Sequence, residues 1–289
     1  MKVVRTAAET ALWCERYRSA GLSIGFVPTM GALHAGHVSL IAAASRECER
    51  VVASIFVNPT QFGPGEDLAR YPRPIALDLE ILRDAGVALA FLGEDGDMYP
   101  PGFSTWVEVE RLSAPLCGRS RPGHFRGVAT VVTQLLAVVR PHRAYFGAKD
   151  YQQARIIERL ARDLHLPAEI RTCPTVREPD GLAMSSRNRH LGPESRKVAA
   201  RIYSALEAAR ALVARGETDV DRIREALRSG LQPGADLEID YTDVRRADTL
   251  EDFAGGVAHR SPGGILLAVA ARVGGTRLID NIVIPPEDA

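Results

Sequence analysis

The sequence predicts an α/β protein, a doubly wound parallel sheet followed by a smaller α+β unit at the C-terminal end. Three observations carry this. Short apolar runs alternate with helical patterns as far as about residue 175, and that alternation is the mark of a parallel sheet. After a Pro174–Gly192 connection the pattern changes to long helices followed by paired apolar runs. Polar, glycine-marked clusters fall at the ends of the apolar runs, where sheets of this kind bind ligands. The expected domains are 1–175 and 176–289, with a boundary anywhere from Thr175 to Leu191.

The strand candidates of the first part are Ser23–Val27, Val51–Val57, Val87–Leu92, Ala144–Phe146 and Ala168–Thr172. Between them, His37–Ile41 opens a helix, Leu77–Ala85 is a helix stopped by Gly86, and Val128–Val139 is a strongly apolar one. Tyr151–Leu164 places Ile156, Ile157, Leu160 and Leu164 on one face, at helical spacing. In the second part, helices near Glu194–Arg215 and Val220–Ser229 precede Leu237–Val244, Ile265–Val273 and Arg277–Ile284, which read as antiparallel strands.

A chain of 289 residues holds one large or two ordinary domains with a substantial core. Its 36 basic and 36 acidic side chains cancel, and without a Lys/Arg block it is not expected to bind nucleic acid. Cys14, Cys48, Cys117 and Cys173 are far apart and form no Cys-x-x-Cys pair, so neither a zinc cluster nor a redox dithiol is indicated. Met1–Thr10 lacks the apolar centre of a signal peptide, and Val128–Val139 and Ile265–Val273 fall short of the ~20 residues that cross a bilayer. A cytoplasmic protein without membrane contact is expected.

The most informative stretch is Pro28-Thr29-Met30-Gly31-Ala32-Leu33-His34-Ala35-Gly36-His37, between a strand and a helix. Backbone N–H groups at a helix start favour an anion. Gly36 allows close approach of a ligand, and His34 and His37 are spaced to project to one side of the first turn.

A second cluster, Phe56-Val57-Asn58-Pro59-Thr60-Gln61-Phe62, ends a strand with two amides suited to neutral hydrogen bonding of a small substrate, with Asp67 and Tyr71 in the following loop. A third, Phe146-Gly147-Ala148-Lys149-Asp150-Tyr151-Gln152-Gln153, sets an ammonium at a helix start, where it can neutralise a phosphate; Asp150 is suited to cap the helix or meet a ribose. It is no Walker loop, because Gly-x-x-x-x-Gly-Lys-Ser/Thr is absent. The fourth, Met184-Ser185-Ser186-Arg187-Asn188, joins two hydroxyls to a guanidinium as an anion clamp, preceded by Pro174-Thr175-Val176-Arg177-Glu178. Arg119, Arg121, Pro122, His124 and Gly127 form a basic loop whose glycine and proline serve geometry, while His142 and His165 are isolated and read as structural.

In this order, Pro-Thr-Met-Gly-x-Leu-His-x-Gly-His, Phe-Val-Asn-Pro-x-Gln-Phe, Arg-Pro-Gly-His-Phe-Arg-Gly-Val, Lys-Asp-Tyr-Gln-Gln and Met-Ser-Ser-Arg-Asn closely resemble the pantoate–β-alanine ligase family over nearly the whole chain. The resemblance implies a Rossmann-like, nucleotidylyltransferase-type first domain that binds ATP and pantoate, and a smaller C-terminal cap domain. It implies condensation of (R)-pantoate with β-alanine through a pantoyl adenylate, with ATP and Mg²⁺ required and AMP and pyrophosphate released. A homodimer is implied as well.

By the same motifs, Met30, Gly31, Ala32, Leu33, His34, Ala35, Gly36 and His37 are implied to line the ATP site, with His37 as proton donor and His34 on a phosphate. Gly147, Ala148, Lys149, Asp150, Val176, Met184, Ser185, Ser186 and Arg187 complete it, and His37, His34, Lys149 and Arg187 are the catalytic set. Gln61, Gln153 and Asn58 are assigned to pantoate, and Gln61 also to β-alanine; no metal ligands are assigned. Ala148 departs from the glutamate expected there, which leaves backbone but no carboxylate chemistry at that position.

Overall fold

The computed structural model describes residues 1–258 and 263–286. In chain order the elements are β1 (Lys2–Val4), α1 (Ala7–Ser19), β2 (Ile24–Thr29), α2 (Ala35–Glu47), β3 (Arg50–Ile55), α3 (Ile75–Asp84), β4 (Leu89–Leu92), α4 (Asp95–Met98), α5 (Cys117–Ser120) and α6 (His124–Val139). They continue with β5 (Arg143–Gly147), α7 (Tyr151–Asp163), β6 (Glu169–Cys173), α8 (Pro193–Ala214), α9 (Val220–Leu231), β7 (Leu237–Arg246), β8 (Ile265–Val273) and β9 (Thr276–Ile284).

Two compact units result. The first holds Met1–Ser113, Arg121–Ala148 and Gln153–Pro174; the second holds Ala114–Ser120, Lys149–Gln152 and the chain from Thr175 on.

The first unit is built on a six-stranded sheet in the order β1-β4-β3-β2-β5-β6, with every pairing parallel. Parallel strands need helical crossovers, and these bury the sheet on both faces, which is why the strands read as unbroken apolar runs. Val27, Ile41, Val51, Ala53, Leu82 and Leu92 make one continuous core from β2, α2, β3, α3 and β4. The strand order reverses at β2, and the ladder between β2 and β5 stops at Phe26 and Ala144, short of their carboxyl ends; a switch of this kind opens a ligand crevice.

The doubly wound sheet is as expected, and the differences lie at its margins. Val51–Val57 is a strand only as far as Ile55, because Asn58 caps a one-turn helix begun by Pro59 and the chain leaves the ladder. α6 starts at His124, one turn earlier than its apolar run, with Phe125 and Gly127 buried on it.

In the second unit, β7, β8 and β9 form an antiparallel sheet with a bulge between Ile239 and Tyr241. α8 and α9 contribute Ile202, Leu206, Ile223 and Leu227 to a core shared with Leu267 and Val269 of β8. Burying such side chains is worth about 1.5–3 kcal/mol each.

Candidate active site

In the first unit, the loop leaving β2 is held by groups distant in sequence. Gly31 and Ala32 both take positive φ, and the turn they make aims three successive amides inward. Thr29 Oγ1 accepts from the Gly31 N–H at 3.1 Å, and Asp78 of α3 accepts from Ala32 at 2.9 Å and Leu33 at 2.8 Å. Asp78 is fully buried, and these two amides receive its carboxylate. A side chain at Gly31 would come within 2.9 Å of Asp78 Oδ2, so glycine is needed there for space as well as for φ.

His34 caps α2 in extended conformation, and its Nδ1 accepts the Gly36 N–H at 3.1 Å. The His37 Nδ1 accepts the His34 N–H at 3.3 Å, so two imidazoles reproduce the reciprocal bonds of a capping box. A backbone N–H can only donate, and the ring proton of each histidine therefore lies on Nε2. The ring centroids are 4.1 Å apart. The loop thus presents two neighbouring Nε2–H donors at the positive end of a helix, an arrangement suited to phosphate oxygens.

The turn after β3 is equally constrained. Gln61 is buried; its Oε1 accepts from Asn58 Nδ2 at 3.0 Å, and its Nε2 approaches Met30 Sδ at 3.1 Å. Asn58, 1 % exposed, also donates to the Gly127 carbonyl, and its Oδ1 accepts from the hydroxyls of Thr60 and Tyr99. Burial raises the Tyr99 phenol above its ordinary pKa, with the Thr60 hydroxyl pulling the other way. The Gln61 carbonyl accepts from His124 Nδ1 at 2.8 Å and from Arg121 Nη2 at 3.2 Å.

Arg121 also donates to His124 Nε2 and pairs with Glu66. Burial alone would raise the Glu66 carboxyl, but the hydrogen bonds and charge of Arg121 outweigh it and hold Glu66 below the usual carboxylate range. Tyr71 is buried edge-on against Phe62, with ring centroids 5.9 Å apart.

In the second unit, Met184 N–H donates to the Val176 carbonyl and Arg177 bridges Ala183, so Val176 and Met184 face each other across a tight hairpin. Ser185 Oγ then accepts from the Arg187 N–H, starting a short helix over Ser186–His190. Asn188 ties this helix to Glu178 and to the Ala183 carbonyl, and Glu178 pairs with Arg196 of α8. The Arg196 hydrogen bond, working against burial, keeps the Glu178 carboxyl low.

Lys149 lies in a one-turn helix over Ala148–Asp150, with Nζ 3.8 Å from Asp150 Oδ2. Gln152, next to it on α7, accepts from the Cys117 N–H and donates to the Pro115 carbonyl.

Within the first unit the structure assembles Met30 to His37 with Asn58 and Gln61; Gly147 ends β5, Ala148 begins the one-turn helix that follows, and Gln153 is half-buried near the start of α7. Within the second it joins Val176 to Met184 through Arg187. Sequence reasoning missed Asp78, Tyr99 and the close-approach role of Gly127. The one available signal is Asp78 lying four residues before Leu82, on the face of α3 that is buried. Among the described residues no group of three or more His, Cys, Asp or Glu is placed to hold a metal ion.

The pantoate–β-alanine ligase family model matches residues 2–283. The pantothenate synthetase of Moorella thermoacetica is 49% identical over 288 residues, covering 100% of both chains, and that of Thermotoga neapolitana is 50% identical over 98% of this chain and 100% of its own. The crystal structure of pantothenate synthetase from Thermus thermophilus superposes with a TM-score of 0.89 at 46% identity, covering 99% of this chain and 100% of that one. A pantoate–β-alanine ligase from Francisella tularensis, solved in complex with β,γ-ATP and β-alanine, gives 0.78 at 33% identity over 99% of each chain. The chain belongs to the pantoate–β-alanine ligase family.

Proposed function

We propose that this chain joins (R)-pantoate to β-alanine in two steps. A carboxylate oxygen of pantoate attacks the α-phosphorus of ATP, the α–β phosphoanhydride bond breaks, and pyrophosphate leaves. The β-alanine amine then attacks the acyl carbon of the resulting pantoyl adenylate, loses a proton, and displaces AMP to give pantothenate. The observation that carries the reading is the imidazole pair at the start of α2, each with its Nδ1 taken up by a backbone N–H.

Phosphoryl chemistry asks a protein mainly for alignment and charge stabilisation. Met30 to His37 would meet the nucleotide, with His34 on a phosphate and His37 Nε2–H at the charge that develops as pyrophosphate leaves. Gly147, Ala148, Lys149, Asp150, Val176 and Met184–Arg187 complete its contacts, Lys149 as a point charge and Arg187 as a fork. Position 148 acts through its backbone. Gln61 and Gln153 hold pantoate, Gln61 also meets β-alanine, and Asn58 contributes by fixing the Gln61 amide.

Mg²⁺ would arrive with the phosphates. This ion is commonly held by few protein carboxylates, and the described residues form no cage for it. Residues 1–175 would carry ATP and pantoate binding, and residues 176–289 the serine–arginine clamp. A homodimer acting in the cytoplasm rests on the family resemblance; no helix among the described residues is long and apolar enough to cross a membrane.

Product analysis tests the reading. With ATP and pantoate present, adding β-alanine should accelerate AMP release and yield one amide per AMP. AMP release indifferent to β-alanine, without amide, would refute it.

A further inference from the structure

We propose that Asn281, on the last strand of the second unit, positions Lys149 for nucleotide binding; the proposal rests on the phosphate role given to Lys149 above. Asn281 Nδ2 donates to the Lys149 carbonyl at 2.8 Å, although 132 residues separate the two in sequence. Lysine carries its charge on a flexible four-carbon stem, so its effect at a phosphate depends on how well the backbone beneath it is fixed. A hydrogen bond to its own carbonyl fixes the peptide plane from which that stem departs.

Asn281 is itself firmly anchored. Its N–H donates to Asp280 Oδ1 at 2.8 Å, and its carbonyl accepts from Arg177 Nη2 at 3.4 Å. Asp280 is 4 % exposed and takes both prongs of the Arg177 guanidinium, at 2.6 and 3.0 Å. Arg177 further donates to the Gly181 carbonyl and lies 3.9 Å above the Tyr203 ring centroid. Rotating the backbone at Asn281 would take an N–H from a buried carboxylate and a carbonyl from the guanidinium paired with it, leaving both groups short of a partner. Arg177 also follows Val176 at the foot of the hairpin that ends in Met184, so one anchor serves both nucleotide segments of this unit.

The test is calorimetric titration of the full chain with a non-hydrolysable ATP analogue, pantoate absent. Asn281→Asp keeps the size of the side chain but sets a carboxylate oxygen against the Lys149 carbonyl. It should weaken binding about tenfold in a chain that still unfolds in one cooperative thermal transition. In a Lys149→Ala background the same substitution should change binding less than about twofold, because no ammonium is left to place. Should Asn281→Asp fail to fold, Asn281→Ala removes the donor without adding charge and is held to the same expectation. Wild-type binding by the Asn281 variants, or equal losses in both backgrounds, would overturn the proposal. If Lys149→Ala alone bound the analogue as tightly as wild type, the phosphate role of Lys149 would fall instead, and the two failures are thereby told apart.

Discussion

The residues proposed for the site in the sheet unit and those proposed in the second unit are presented by different means. Met30–His37 and Asn58–Gln61 leave the carboxyl ends of adjacent parallel strands, so topology places them and the chain needs only local clamps at Asp78 and Gly127. Lys149, Val176 and Met184–Arg187 occupy a turn, a hairpin and a one-turn helix, and they are held by side chains such as Asp280, Asn281 and Glu178. A strand end stays where its ladder puts it. A hairpin held by charges stays only while each charge keeps its partner.

The largest expected effect lies in the sheet unit. His37→Ala should lower kcat by about 10²–10⁴-fold, the usual contribution of a positioned proton donor, with little change in pantoate KM. Unchanged kcat with a raised KM would move His37 from the chemistry to ground-state binding. Next comes the second unit, where Arg177→Ala leaves the Asp280 carboxylate buried without its guanidinium. The expected loss is about 3–5 kcal/mol in chemical denaturation, and a loss below about 1 kcal/mol would mean that the hairpin does not depend on the pair.

Gly127→Ala probes a clamp made of shape rather than charge. A Cβ there would stand 2.4 Å from the Thr60 carbonyl oxygen and 2.7 Å from the Gln61 nitrogen, both backbone atoms. Either α6 or the Gln61 turn must move, so the variant should lose about 1–3 kcal/mol and its pantoate KM should rise. Wild-type kinetics would show that the Gln61 position tolerates the shift.

The smallest effect concerns pH. Glu66 is held below its ordinary value of 4.5, so the folded state binds its proton less readily than the unfolded chain does. Its contribution is complete above that value and is lost as pH falls through the lower folded one. The carboxylate is partly exposed, so the contribution is below about 1 kcal/mol. Glu66→Gln should accordingly flatten the acid limb of the stability curve, and an unchanged limb would show that the Arg121 pair adds nothing to stability.

What is legible in the sequence follows the same division. The strands β2 to β5 announce themselves because both faces of the parallel sheet are buried there, whereas the edge strand β6 buries none of its five residues and is read only from the alternation of elements. β1 does not announce itself, having three residues of which only Val4 is buried. α1 gives no periodic signal because its apolar residues make no single face: Leu12 is exposed while Cys14 is buried. Its start is readable, since Thr6 and Glu9 form a capping box.

The histidine loop, the two amides, the lysine turn and the serine–arginine clamp can be read as motifs because each is contiguous. Their supports are not. Asp78 lies 45 residues beyond Leu33, and Asn281 lies 132 beyond Lys149, distances at which a single sequence carries no signal of contact.

The proposed reaction puts one event first, the adenylylation of pantoate before any amine is needed, and isotope exchange isolates that event. Labelled pyrophosphate is incubated with the protein, ATP and pantoate in the absence of β-alanine, and label is counted in ATP. Exchange should require pantoate and should collapse in His37→Ala. A wild-type protein that forms pantothenate yet shows no such exchange until β-alanine is added would contradict a separate adenylylation step.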